Sequence, residues 1–190
     1  MLLWREPVPA SWLPKMLAHL PAVLVDHCHL ERKATTTVLS LMKYRALQHH
    51  TAHLAAIARE ELDHFDLLLA LLKRRGIPFG QPHSSPWISG MMDAIRRGQQ
   101  KQVIDHLICC SLIEGRSCEK FQMLGEALAG IDDEVAGMYR GLVQSEGNHY
   151  ADFWLMACEL DDAEAHRRLN DFLELDAQLI RRTHDLPLLH

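Results

Sequence analysis

Two copies of Glu-x-x-His stand in this 190-residue sequence, Glu61-Leu62-Asp63-His64 and Glu146-Gly147-Asn148-His149. Three positions apart on a helix, a carboxylate and an imidazole share one face and can grip the same cation. One copy alone is usually a solvated helix face. Here each is preceded by another glutamate at a similar distance, Glu31 before Glu61 and Glu114 before Glu146.

All four glutamates interrupt apolar stripes of helical period. The stripes read Leu20, Leu24, His27, Glu31, Ala34, Val38, Leu41, and then Leu54, Ile57, Glu61, His64, Leu68, Leu71. The third and fourth read Val103, Leu107, Cys110, Glu114, Ser117, Phe121, Leu124, and Val135, Tyr139, Leu142, Glu146, His149, Phe153, Met156. A face this apolar turns to a core. An uncompensated ion there costs several kcal/mol, and no stripe brings enough Lys or Arg to neutralise its carboxylate. Two divalent cations would. Glu31, Glu61, His64, Glu114, Glu146 and His149 are therefore the expected ligands of a dinuclear centre. Carboxylate with imidazole suits iron, with manganese second, and differs from all-oxygen calcium sites and typical structural zinc sites. Neighbours such as Glu60 and Asp63 fall on the solvent side.

The elements that must position these ligands are helices, with no convincing strand. Long helices are expected from about Pro21 to Ala46, Thr51 to Arg75, Lys101 to Leu128, Asp132 to Leu160 and Asp162 to His184. Shorter ones are expected near residues 10–19 and from Ser85-Pro86 to Arg97-Gly98. Short connections make the first and second long helices one antiparallel hairpin, and the third and fourth another. About 25 residues separate the hairpins, enough to cross the length of a bundle. One all-α domain over residues 1–190 is expected, a ferritin-like four-helix bundle with a long crossover and extra flanking helices.

Composition excludes several alternatives. Five cysteines include no Cys-x-x-Cys pair, which argues against a zinc ribbon, a rubredoxin-type site or a disulfide framework. No apolar run reaches membrane-span length. The opening residues lack the order of a signal peptide, so the cytosol is the expected location. A net charge of −5 does not advertise nucleic-acid binding, although total charge hides local patches.

Four stretches carry a family resemblance: Asp26-His-Cys-His-Leu-Glu-Arg-Lys-Ala-Thr-Thr-Thr, Glu60-Glu-Leu-Asp-His-Phe, Ser111-Leu-Ile-Glu-Gly-Arg-Ser-Cys-Glu and Ser145-Glu-Gly-Asn-His-Tyr. Together they resemble the MiaE-type tRNA hydroxylases over nearly the whole chain. The resemblance implies a di-iron, O2-dependent monooxygenase acting on the isopentenyl group of 2-methylthio-isopentenyl-adenosine beside the tRNA anticodon. It implies the same six ligands. Many di-iron oxygenases carry a threonine four residues after the third-helix glutamate; here Cys118 stands there. No flavin or iron–sulfur motif is present, so an external reductase is the expected electron donor. The competing expectation is a ferritin- or rubrerythrin-like protein that oxidises iron or scavenges peroxide. Rubrerythrins usually add a Cys-x-x-Cys module, absent here.

For the anticodon loop, candidate phosphate contacts are Lys73-Arg74-Arg75, Arg96-Arg97 with Lys101, Arg167-Arg168 and Arg181-Arg182. At least one of these clusters is expected around the mouth of the metal pocket.

Removing metal should lower the melting temperature, because the buried carboxylates then repel one another. Reconstituted protein should hold about two irons per chain by elemental analysis. Glu61→Ala and His149→Ala should each reduce that occupancy, whereas Glu60→Ala should leave it unchanged. Equal losses at Glu60 and Glu61 would mean that the wrong helix face has been assigned.

Overall fold

The computed structural model describes residues 4–182 and 186–190. The helices are α1 (Trp12–Ala18), α2 (Leu20–Leu41), α3 (Thr51–Arg74), α4 (Pro86–Asp93), α5 (Gln99–Ala127), α6 (Asp133–Leu160) and α7 (Asp162–Ile180). A 3-10 turn, Arg45–His50, joins α2 to α3. No strand occurs among the described residues. The chain divides into two compact units, one of residues 14–84 and 185–189, the other of residues 1–13, 85–184 and 190. Helix α1 straddles that division.

The first of these units is the α2–α3 hairpin. Helix α2 stops at Leu41, short of the expected Ala46. The amides of Met42, Lys43 and Tyr44 turn back to carbonyls three residues behind, and Tyr44 then becomes extended. Leu47, fully buried, pins the 3-10 turn that follows. At its far end α3 closes with a Schellman motif. Ile77 N–H reaches Leu72 O, Gly76 N–H reaches Lys73 O, and Gly76 supplies the positive φ of 64° that this motif requires.

The larger unit is the α5–α6 hairpin with α4 and α7 packed on it. Side-chain oxygens of Ser85, Asp132 and Asp161 cap α4, α6 and α7. From Val103 to Leu112 every residue of α5 is buried, as expected for a helix covered on more than one side. Close approach of α5 and α6 needs Gly125, where a Cβ would come within 2.8 Å of Arg140 Cγ. The expected end of the last helix at His184 lies outside the described residues.

Two buried ion-pair groups tie this unit together. Asp105, with a side chain that is 0% exposed, accepts bonds from the backbone N–H and guanidinium of Arg96 and from the guanidinium of Arg168. This explains why α4 ends at Asp93, before the expected Arg97-Gly98: the segment after it leaves the helix to deliver Arg96 to Asp105. Further along, Arg116 pairs with Asp176 at 2.5 Å, both fully buried, and Trp87 Nε1 donates to the same carboxylate. Arg116 also donates to Glu6 O, and Trp4 covers its guanidinium.

Burial alone would raise the Asp105 pKa, but Arg96 and Arg168 outweigh it and hold the group below the usual 3.8. A depressed folded-state value means stability that is present above the unfolded value and lost as pH falls through the folded one. Asp105→Asn should therefore cost about 2–3 kcal/mol near neutral pH, discounted from a fully buried pair because both arginines are partly exposed. Denaturant midpoints measured against pH should show the gap between variant and wild type closing in acid.

Candidate metal centre

Within the α2–α3 hairpin the expected ligands converge. Glu31 and Glu61 are buried, at 4% and 0% exposure, and His64 is nearly so. One ligand atom from each of the three lies within 4.8 Å of the others. The Cys28 thiol donates to Phe65 O across the hairpin, a register that brings Glu31 level with Glu61. Nδ1 of His64 stands 3.8 Å from a Glu31 oxygen and 3.7 Å from a Glu61 oxygen. Those gaps exceed a hydrogen bond, yet they suit atoms that share an ion at roughly 2.0–2.2 Å.

Electrostatics point the same way. Desolvation alone would lower the His64 pKa, but the facing carboxylates of Glu31 and Glu61 raise it to about 10. Burial would raise Glu31, but His27, His64 and Glu61 together hold it below the ordinary range. The pocket thus draws positive charge to itself. His27, one turn before Glu31, brings its Nε2 to 2.5 Å from Glu31 Oε1 and so orients the carboxylate.

The α5–α6 hairpin holds the other three expected ligands, Glu114, Glu146 and His149, at 6%, 2% and 1% exposure. Two side-chain rungs set its register. Ser111 Oγ donates to Tyr150 O at 2.8 Å, and Cys118 Sγ donates to Val143 O at 3.4 Å. Glu114 lies between the α5 ends of these rungs, and Glu146 and His149 between the α6 ends. The two Glu-x-x-His hairpins are therefore registered alike, each by a small polar side chain bonded to the opposing backbone. Glu60 and Asp63 are exposed, as expected.

Cys118 is committed to that rung. Desolvation and then the Glu114 charge push its thiol up to about 11, so it is protonated at neutral pH. Ser117, in the third apolar stripe, lies 3.2 Å from His190 Nε2, while Lys120 Nζ is 3.3 Å from His190 Nδ1. The His190 ring stacks on Trp87. Periodicity could not reveal these partners, because His190 belongs to no helix. Two buried polar residues lie off the apolar stripes: Asp26, which accepts the Leu189 N–H, and His29, which lies 3.2 Å from Phe79 O and 3.3 Å from Gly80 O.

Several basic clusters have structural work. Arg96 and Arg168 serve Asp105, and Arg96 also serves Glu164. Arg167 pairs with Glu164 and Asp171, and Arg181 with Glu6. Clustering in sequence made these arginines look like phosphate contacts, but carboxylates, some within one helical turn and some far along the chain, had already claimed them.

The fold and the sequence have close counterparts. A solved structure from Synechococcus, a protein with aldehyde deformylating oxygenase activity, superposes with a TM-score of 0.89 at 28% identity, over 100% of this chain and 96% of its own. The fold is that of the ferritin-like helical bundles. A tRNA 2-(methylsulfanyl)-N(6)-isopentenyladenosine(37) hydroxylase of Pseudomonas putida is 34% identical over 157 residues, 82% of this chain and 75% of the relative. The Salmonella typhimurium protein of the same name is 28% identical, over 92% of this chain and 82% of its own. The family model described as tRNA-(MS[2]IO[6]A)-hydroxylase (MiaE) matches residues 2–190, and the chain belongs to that family of tRNA hydroxylases.

Proposed function

We propose that this protein hydroxylates the isopentenyl side chain of 2-methylthio-isopentenyl-adenosine in tRNA, using two iron ions and dioxygen. The observation that carries this is the convergence of Glu31, Glu61 and His64 inside an apolar hairpin, in a chain of this family. The proposed ligands are Glu31, Glu61, His64, Glu114, Glu146 and His149. Bound and reduced, the iron pair supplies the activation of dioxygen needed to oxidise an allylic C–H bond. The balance takes that C–H bond, one dioxygen, two electrons and two protons to an alcohol and water. A separate reductase supplies the electrons. A tRNA substrate places the protein in the cytosol.

The chain's own residues do the rest. The buried carboxylates would neutralise the cations and hold them away from bulk solvent. His27 holds Glu31 by one oxygen, leaving the other for metal. Leu24, Val38, Leu54, Ile57 and Leu68 are buried along the two helices that carry Glu31, Glu61 and His64 and give that hairpin an apolar interior, suited to a prenyl chain rather than a nucleotide.

Reduced, iron-loaded protein should add one oxygen atom to the prenylated nucleoside, and labelled dioxygen should supply that atom. Label arriving from water, or bulk iron mineralisation with no product, would sink the proposal. His27→Ala should weaken iron binding about ten- to a hundredfold in competition with a chelator, with His27→Gln falling between it and wild type. Unchanged iron affinity in both variants would leave His27 a packing residue only.

A further inference from the structure

Between Glu31 and Glu60 the sequence contains no Asp or Glu, yet it carries Arg32, Lys33, Lys43, Arg45 and Arg59 and the histidines at 49, 50 and 53. In a chain of net charge −5 this is a local reversal of sign. The middle of that stretch is the connection between α2 and α3. Lys43, Arg45, His49 and His53 are exposed, and Tyr44 and His50 half-exposed. Among the described residues neither Lys43 nor Arg45 forms an ion pair, in contrast to Arg96, Arg167, Arg168 and Arg181.

The connection is also shaped. Leu47 anchors it from beneath, and the 3-10 turn holds its backbone. The Lys43 ammonium sits 5.0 Å from the centre of the Tyr44 ring, and the His49 and His50 rings lie 4.1 Å apart, tilted by 43°. Cations beside partly exposed rings are what an unpaired RNA loop needs, with phosphates on the former and unstacked bases on the latter.

We propose that this connection, residues 43–53, is the face that binds the single-stranded loop of the RNA substrate, an inference that rests on the hydroxylase function proposed above. Ten residues of α2 separate Glu31 from Leu41, and ten of α3 separate Thr51 from Glu61. At about 1.5 Å per residue the connection lies roughly 15 Å from the level of these ligands. An unpaired RNA strand covers that distance in a few nucleotides. A base whose side chain reaches the ligands therefore leaves the phosphates of nearby nucleotides over Lys43 and Arg45.

The test uses iron-loaded protein and an unmodified RNA hairpin with a purine-containing loop, followed by fluorescence anisotropy. Lys43→Glu with Arg45→Glu should weaken hairpin binding about tenfold and flatten the log–log salt slope by about 1.4, for two single-strand phosphate contacts. The milder pair Lys43→Gln with Arg45→Gln should show the same direction with an unchanged melting temperature. Tyr44→Ala should weaken binding and leave the slope intact. Arg167→Glu, on α7, should change affinity by less than about twofold. Wild-type hairpin affinity in both Lys43/Arg45 pairs would overturn the proposal. So would a wild-type protein that ignores the hairpin but binds phosphatidylserine vesicles through Lys43 and Arg45. Turnover of the free modified nucleoside separates the two ideas. If wild type does not turn it over, the hydroxylase function fails while the binding result still decides the face. If the charge variants turn it over normally yet lose the hairpin, both stand.

Discussion

A buried carboxylate needs positive charge close by, and the way each one obtains it organises this protein. Asp105 and Asp176 obtain it from arginines. Glu31 obtains part of it from His27, and Glu31 and Glu61 together draw a proton onto His64. In the α2–α3 hairpin the groups that face one another are two carboxylates and an imidazole. Two buried carboxylates and an imidazole within 4.8 Å of one another are a donor set that a metal cation can bridge in place of that proton.

The two kinds of pairing do different jobs. Arg116 and Asp176 lock α5 to α7, and Asp105 fastens the segment after α4, so the helix carrying Glu114 is held from several sides. Rigid support matters because metal ligands must stay within a few tenths of an ångström of a workable geometry. The rungs from Ser111 to Tyr150 and from Cys118 to Val143 extend that support to the level of Glu146 and His149. Cys118 therefore acts through its bond to the backbone.

Charge on the surface follows the same economy of partners. In the larger unit Arg5, Arg96, Arg167, Arg168 and Arg181 all face carboxylates, so a count of arginines overstates the positive field there. The acid-free connection between α2 and α3 is the opposite case, because its cations have no carboxylate near them in sequence. A weakly acidic protein can hold RNA when its positive charge is gathered in this way rather than spread.

The buried glutamates were legible because a glutamate in an apolar stripe is costly and therefore conspicuous, and because hairpin spacing pairs Glu31 with Glu61 and Glu114 with Glu146. Helix existence and order were legible for the same reason, as period 3.6 is a local property. Where α2 and α4 stop was not legible. Leu41 and Asp93 end those helices because Leu47 and Asp105 claim the residues that follow, and both claims are tertiary contacts. The same limit hid the pairing of Arg96 with Glu164 and of Arg168 with Asp105, and the meeting of His190 with Ser117 and Lys120, more than 60 residues apart in each case. Sequence by itself determined which faces are apolar and where charge interrupts them, since spacing along a helix sets both. Only the tertiary structure decided which charges are already matched, because a partner distant in the chain leaves no periodic trace.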